Sequence, residues 1–198
     1  MKNSTRSFGV KARAILAGSL VLGVGAAVTL ASWNDSEFAA GAFTGGKFNV
    51  QSSITGGTAP ADWKDNGTGT PAALSFAVDA NKLSPNTTVF APFALKLAAG
   101  STNAADITIK STGPVGIGDH LVYTIRQTST WGCNAATTGT FVAPAANVKA
   151  SPVNNAFSLS TAGAPTYLCI AVTSDSTLEQ GTSGTVTWEF AAVSNAAL

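Results

Sequence analysis

Catalysis needs groups that attack, coordinate or move protons, and this chain keeps few of them in useful company. It has one histidine, His120, and two cysteines, Cys133 and Cys169. Zinc catalysis takes about three protein ligands and an open position for water, and no His-Glu-x-x-His occurs. A Ser/His/Asp set would have to be built on His120. There is no Gly-x-Ser-x-Gly, nor an expected strand-to-helix elbow to carry one. Gly118-Asp119-His120 reads instead as a polar turn before a strand. Asp62, Asp65 and Asn66 bring oxygens together, but not at EF-hand spacing, and an ordinary turn is expected. No catalytic residue, metal ligand or cofactor site is assigned.

The cysteines and tryptophans say more. In an oxidising compartment Cys133 and Cys169 read as a disulfide, and the rival reading is two buried, reduced thiols. Of the four tryptophans, Trp188 alternates with Val186 and Phe190 and is expected in the core. Trp63 and Trp131 sit in turn-like contexts beside Lys64 and Gly132. There they either close an end of the fold or stack on sugar faces.

The chain's 198 residues carry a formal charge of +1, unevenly placed. Lys2, Arg6, Lys11 and Arg13 precede a long uncharged run, and no acidic residue does. Beyond that run seven basic residues face ten acidic ones. Such a balance argues against nucleic-acid binding, which depends on a basic surface. Charged residues are 11% of the whole, against about 25% in ordinary soluble domains. A surface of Ala, Thr, Ser, Gly and Asn resists self-association only weakly.

Residues 14–31 contain no charge. As a helix these 18 residues reach about 27 Å, just short of the ~30 Å hydrocarbon core. Gly18, Gly23 and Gly25 weaken them as a permanent anchor. Thr29 and Ala31 supply the small residues a signal peptidase needs, so cleavage is expected between Ala31 and Ser32. An uncleaved anchor is the alternative, and would be the chain's one membrane contact. In both cases the remainder is exported. Residues 1–31 are thus a signal segment. Residues 32–46 form an extension in which Trp33, Phe38 and Phe43, five apart, match neither a helical nor a strand face.

From Lys47 onward the period is two. Strands are expected around Phe48 and Val50, around Leu74, Phe76 and Val78, and over Val89, Ala91, Phe93, Leu95 and Leu97. Pro92 marks an edge or a bulge in the last of these. Ile107 and Ile109, then Leu121, Tyr123 and Ile125, then Phe157 and Leu159 continue the series. Residues 167–172 suit a central strand, and Val186, Trp188 and Phe190 close it. Turn residues separate the runs, as at Asp65-Asn66-Gly67 and Ser84-Pro85-Asn86. Eight to ten such strands predict an all-β protein, an antiparallel β-sandwich of jelly-roll or immunoglobulin-like type over residues 47–198.

Residues 13–43 resemble the signal region of the TasA/camelysin family, which is exported through a SipW-type signal peptidase. The matching features are the Gly/Ala-rich run, the small-x-Ala junction and Ser32-Trp33-Asn34-Asp35. Phe43, Gly46 and Lys47-Phe48-Asn49-Val50 resemble the family's aromatic, glycine and first strand. Leu83-Ser84-Pro85-Asn86, Phe93, Leu95, Ser101 and Ala105-Asp106-Ile107-Thr108-Ile109 make a second similar patch. Together they cover about a third of the chain. The resemblance implies a secreted or cell-surface β-sandwich, often a fibre-forming matrix subunit, with a SipW-type peptidase as partner. The cysteine pair is not part of that pattern. The expected function is an exported, non-enzymatic surface or biofilm-matrix protein. It would self-associate by strand addition through Trp33, Phe38 and Phe43. A monomeric glycan-binding module using Trp63 and Trp131 is the alternative.

Overall fold

The alternation of apolar and polar residues is realised as eight strands among the described residues. These are β1 (Val50–Ser53), β2 (Thr88–Leu97), β3 (Asn103–Thr112), β4 (Leu121–Thr128), β5 (Thr140–Asn147), β6 (Val153–Leu159), β7 (Thr166–Ser174) and β8 (Thr187–Ala197). The structure, a computed structural model, describes residues 13, 36–76 and 80–198. Apart from Arg13, the signal segment lies outside them, as do its cleavage residues Thr29, Ala31 and Ser32, and Trp33. The chain divides into two units, Met1–Thr44 and Gly45–Leu198. All eight strands belong to the second.

The strands form two antiparallel sheets, one ordered β1-β2-β7-β4-β5 and the other β6-β3-β8. Their apolar faces share one core, giving a β-sandwich-like fold. Val89, Phe93, Leu95 and Leu97 of β2, Leu168 and Ile170 of β7, and Tyr123 and Ile125 of β4 line it from the larger sheet. Ile107 and Ile109 of β3, with Phe157 and Leu159 of β6, line it from the smaller. Two ring contacts bridge the layers. Phe93 stacks on Phe190 at 5.1 Å, and Tyr123 meets Trp188 edge-on at 6.0 Å. Such pairs contribute about 0.5–1.5 kcal/mol beyond their burial.

β7, the run expected to be central, lies between β2 and β4. Pro92 sits inside β2, paired across to Cys169. On the other side β1 reaches only as far as Ala94, so at Pro92 the sheet locally has an edge. That is where a residue without an N–H is tolerated.

Three expectations are corrected. The first strand starts at Val50, with Phe48 outside it; Lys47 and Asn49 bond instead to the turn before β3, through Thr102 N–H to Lys47 O (2.8 Å) and Ala98 N–H to Asn49 O (2.9 Å). Residues 71–76 form no strand, although Ala72, Leu74 and Phe76 still pack on the core. Their alternation reflects one apolar side without a ladder; Val78 lies outside the described residues. Finally, β5 was not expected, because Pro144 and a run of alanines hide its period.

Candidate functional site

Cys133 and Cys169 are joined in a disulfide with Cα atoms 5.0 Å apart. Cys169 points outward from β7, so the bond pins the loop between β4 and β5 onto the outer face of the larger sheet. A shallow groove of about 200 Å³ opens there. Its floor follows from the register. Ala171 of β7 lies between Phe90 of β2 and Thr124 of β4, and a small residue between larger ones leaves a hollow. At one end the hydroxyls of Thr88 and Thr173 hydrogen bond at 2.8 Å. At the other, Arg126 lies 3.5 Å from the centroid of the Phe141 ring and donates from Nη1 to Gly139 O at 3.1 Å. Asn134 and Thr137 of the pinned loop complete the wall. Sequence reasoning missed this groove. The available signal was Phe90 and Arg126 at the outward positions of strands already recognised.

The two candidate tryptophans meet around one dipeptide. Gly56 and Gly57 have φ of 89° and 67°, a region that favours glycine. A Cβ on Gly56 would come 2.9 Å from the Trp131 ring, and one on Gly57 would come 2.2 Å from that of Trp63. Trp63 is 8% exposed. Its Nε1 donates to Gly57 O at 3.2 Å, and the Lys96 ammonium covers the ring at 4.3 Å. Trp131 is half-buried and meets Tyr167 edge-on at 6.1 Å. Both rings are engaged in packing, and stacking a sugar on Trp63 would require Lys96 to leave.

The sheet edges differ in protection. Ser52 of β1 exchanges two 2.9 Å backbone bonds with Lys64, which caps that edge. β5 carries Pro144 and two register shifts against β4. β6 also has a register shift, and Asn155 takes φ 48°. Proline, bulges and kinks of this sort discourage further pairing. β8 is different. It is 11 residues long and pairs regularly with β3 from Thr187 to Ser194. It holds no proline, glycine or lysine, and its one charge, Glu189, is taken by Lys110 at 3.2 Å. Among the described residues no strand pairs with its outer edge. In the other unit, Phe38 and Phe43 are 94% and 96% exposed, and residues 36–44 have no regular secondary structure.

The remaining polar candidates hold the fold together. His120 Nδ1 lies 3.2 Å from both Asp175 oxygens and 3.1 Å from Thr177 Oγ1, tying the start of β4 to the end of β7. The Thr177 hydroxyl, then its N–H and His120, hold the Asp175 carboxyl below its ordinary value. Lys149 and then the Gly116 N–H do the same for Asp119. The Asp62 carboxylate accepts from Ala59 N–H at 2.9 Å, Asp65 from Asn49 Nδ2 at 2.9 Å, and Asn66 donates to Ser52 Oγ at 2.8 Å. These three residues therefore face different partners rather than one centre. Among the described residues no helix is long and apolar enough to cross a membrane. No protein-family model and no curated protein sequence matches this chain.

Proposed function

We propose that this chain is an exported, non-enzymatic structural protein of the cell surface or extracellular matrix, of the TasA/camelysin kind. It assembles into fibres when the mature N-terminal extension of one copy adds as a strand to the next. The observation that carries this reading is the outer edge of β8: long, regular, nearly uncharged and, among the described residues, without a paired neighbour.

Strand order adds support. The order β2-β7-β4-β5 facing β8-β3-β6 matches that of a jelly roll whose eighth place, beside β8, holds no hydrogen-bonded strand among the described residues. Trp188, Phe190 and Ala192 of β8 face the core but are only half-buried, so an added strand would extend that core. Residues 36–46 number 11, as β8 does, and bring two exposed phenylalanines. Main-chain pairing supplies affinity in such additions, and alternate side chains supply specificity. A head-to-tail contact of this type does not close on itself and yields filaments.

The disulfide suits an oxidising compartment, and export would run through a SipW-type signal peptidase cutting before Ser32. Electron microscopy of the secreted protein with and without residues 32–46 tests the reading. Filaments are expected only from the longer form. Equal filaments from both would sink the extension's role.

A further inference from the structure

We propose that the groove on the outer face of the five-stranded sheet binds a sugar bearing a carboxylate, a uronic-acid unit of an acidic polysaccharide. This site is distinct from the β8 edge and does not depend on fibre assembly.

The chemistry of the lining selects the ligand. Among the described residues that line the groove, Arg126 is the one that carries a charge. Gly139 takes one of its five N–H donors, and the Phe141 ring holds the guanidinium from one face. A guanidinium fixed in this way is set to meet a carboxylate edge-on with two parallel bonds. The sugar's other features have counterparts nearby. Thr88, Thr124 and Thr173 offer hydroxyls that both donate and accept, and Phe90 offers an apolar face for the C–H side of a ring.

The site is also built rather than incidental. Ala171 makes the hollow, and the disulfide at Cys169 fixes the wall that carries Asn134 and Thr137. At about 200 Å³ the hollow falls below the ~300–1,000 Å³ of drug-sized pockets. It therefore suits one sugar unit of a longer chain rather than a whole oligosaccharide. None of the described acidic residues lines this groove, whose charged side chain is Arg126, so the lining favours an anion.

The test is an amide NMR titration of the purified protein with D-glucuronate, D-glucose and acetate. Saturable shifts at Thr124, Arg126, Ala171 and Thr173 are expected with glucuronate, and at least tenfold weaker binding with glucose and with acetate. Arg126→Gln should weaken glucuronate binding at least tenfold. Ala171→Leu, which fills the floor and keeps the charge, should do the same. Unchanged Ile107 and Ile109 amides check that each variant is folded, and Thr88→Val replaces any variant that is not. No saturable shift, or shifts centred on Trp63 and Trp131, would overturn the proposal. So would equal binding of acetate, which marks a bare carboxylate site, or of glucose, which marks a neutral-sugar site.

Discussion

The Lys96 ammonium lies 4.3 Å from the centroid of the Trp63 ring and covers one of its faces. Lys96 and Trp63 come from different parts of the chain, brought together because Lys64 pairs with β1 and Gln51 of β1 pairs with Lys96. The ring is also fixed by its bond to Gly57 O. This arrangement closes the end of the larger sheet, and Gly57 is its tightest point. Gly57→Ala would set a Cβ 2.2 Å from the indole at φ 67°. Strain and overpacking each cost about 1–3 kcal/mol. The expected loss is about 2–6 kcal/mol in urea unfolding, and more than for Gly56→Ala, where the approach is 2.9 Å. The reverse ranking would show that Trp131 is the better-held ring.

The disulfide stabilises chiefly by restricting the unfolded chain. Its 36-residue separation corresponds to about 4 kcal/mol in the chain-entropy model. The Cys133→Ser/Cys169→Ser double variant should lose about that much in urea unfolding while keeping its β-sheet circular dichroism. A loss below about 1 kcal/mol would mean that the two ends of the 133–169 segment already stay close in the reduced, unfolded chain.

Much of this architecture was legible because the inner faces of the strands are apolar. Val89 to Leu97 alternates cleanly, and the denser 167–172 run signalled a strand with neighbours on both sides. Residues 71–76 misled because burial of Ala72, Leu74 and Phe76 produces the same pattern with or without a ladder. β5 was hidden because Pro144, Ala143, Ala145 and Ala146 carry little periodic contrast. The groove was illegible for a different reason. Thr88, Phe90, Arg126 and Ala171 lie far apart in sequence, and only the register of three strands makes them neighbours. Periodicity reports which face a residue takes, not which residue lies beside it.

Acid should weaken the fold through particular carboxylates. The Ala59 N–H, then the Thr58 hydroxyl, hold Asp62 below its ordinary 3.8. The Thr177 hydroxyl holds Asp175 down first, with His120 contributing. When the folded-state value is the lower one, the unfolded chain takes up protons first as pH falls. The stability these groups supply is therefore whole above 3.8 and lost as pH falls through the lowered values. The urea midpoint should fall below about pH 4, and less steeply in Asp62→Asn. An identical acid slope in that variant would place the sensitivity elsewhere.

Phe38 and Phe43 are five residues apart, so in an added strand they point to opposite faces. Only one can enter the core beside Trp188 and Phe190. Phe38→Ala and Phe43→Ala should thus differ in their effect on filament formation, with a critical concentration raised at least tenfold by one and little changed by the other. Equal effects would argue against an extended strand in the contact.

The acceptor edge can be tested without touching the donor. Ala191 and Val193 lie on the outer face of β8, opposite Thr108 and Asp106 of β3, and Val193 is 66% exposed. Lysines on an edge strand are one of the natural blocks to further pairing. Replacing both residues, Ala191→Lys with Val193→Lys, places one new cation across from Asp106. The fold should therefore keep its stability to within about 0.5 kcal/mol. Filaments should be lost, and the variant should still add its own extension to the end of a parent fibre, because its donor segment is intact. Capping of parent fibres by this variant, seen as shorter filaments at substoichiometric amounts, is the signature of a one-way contact. A variant that assembles as the parent does would remove β8 as the acceptor, whatever the extension contributes.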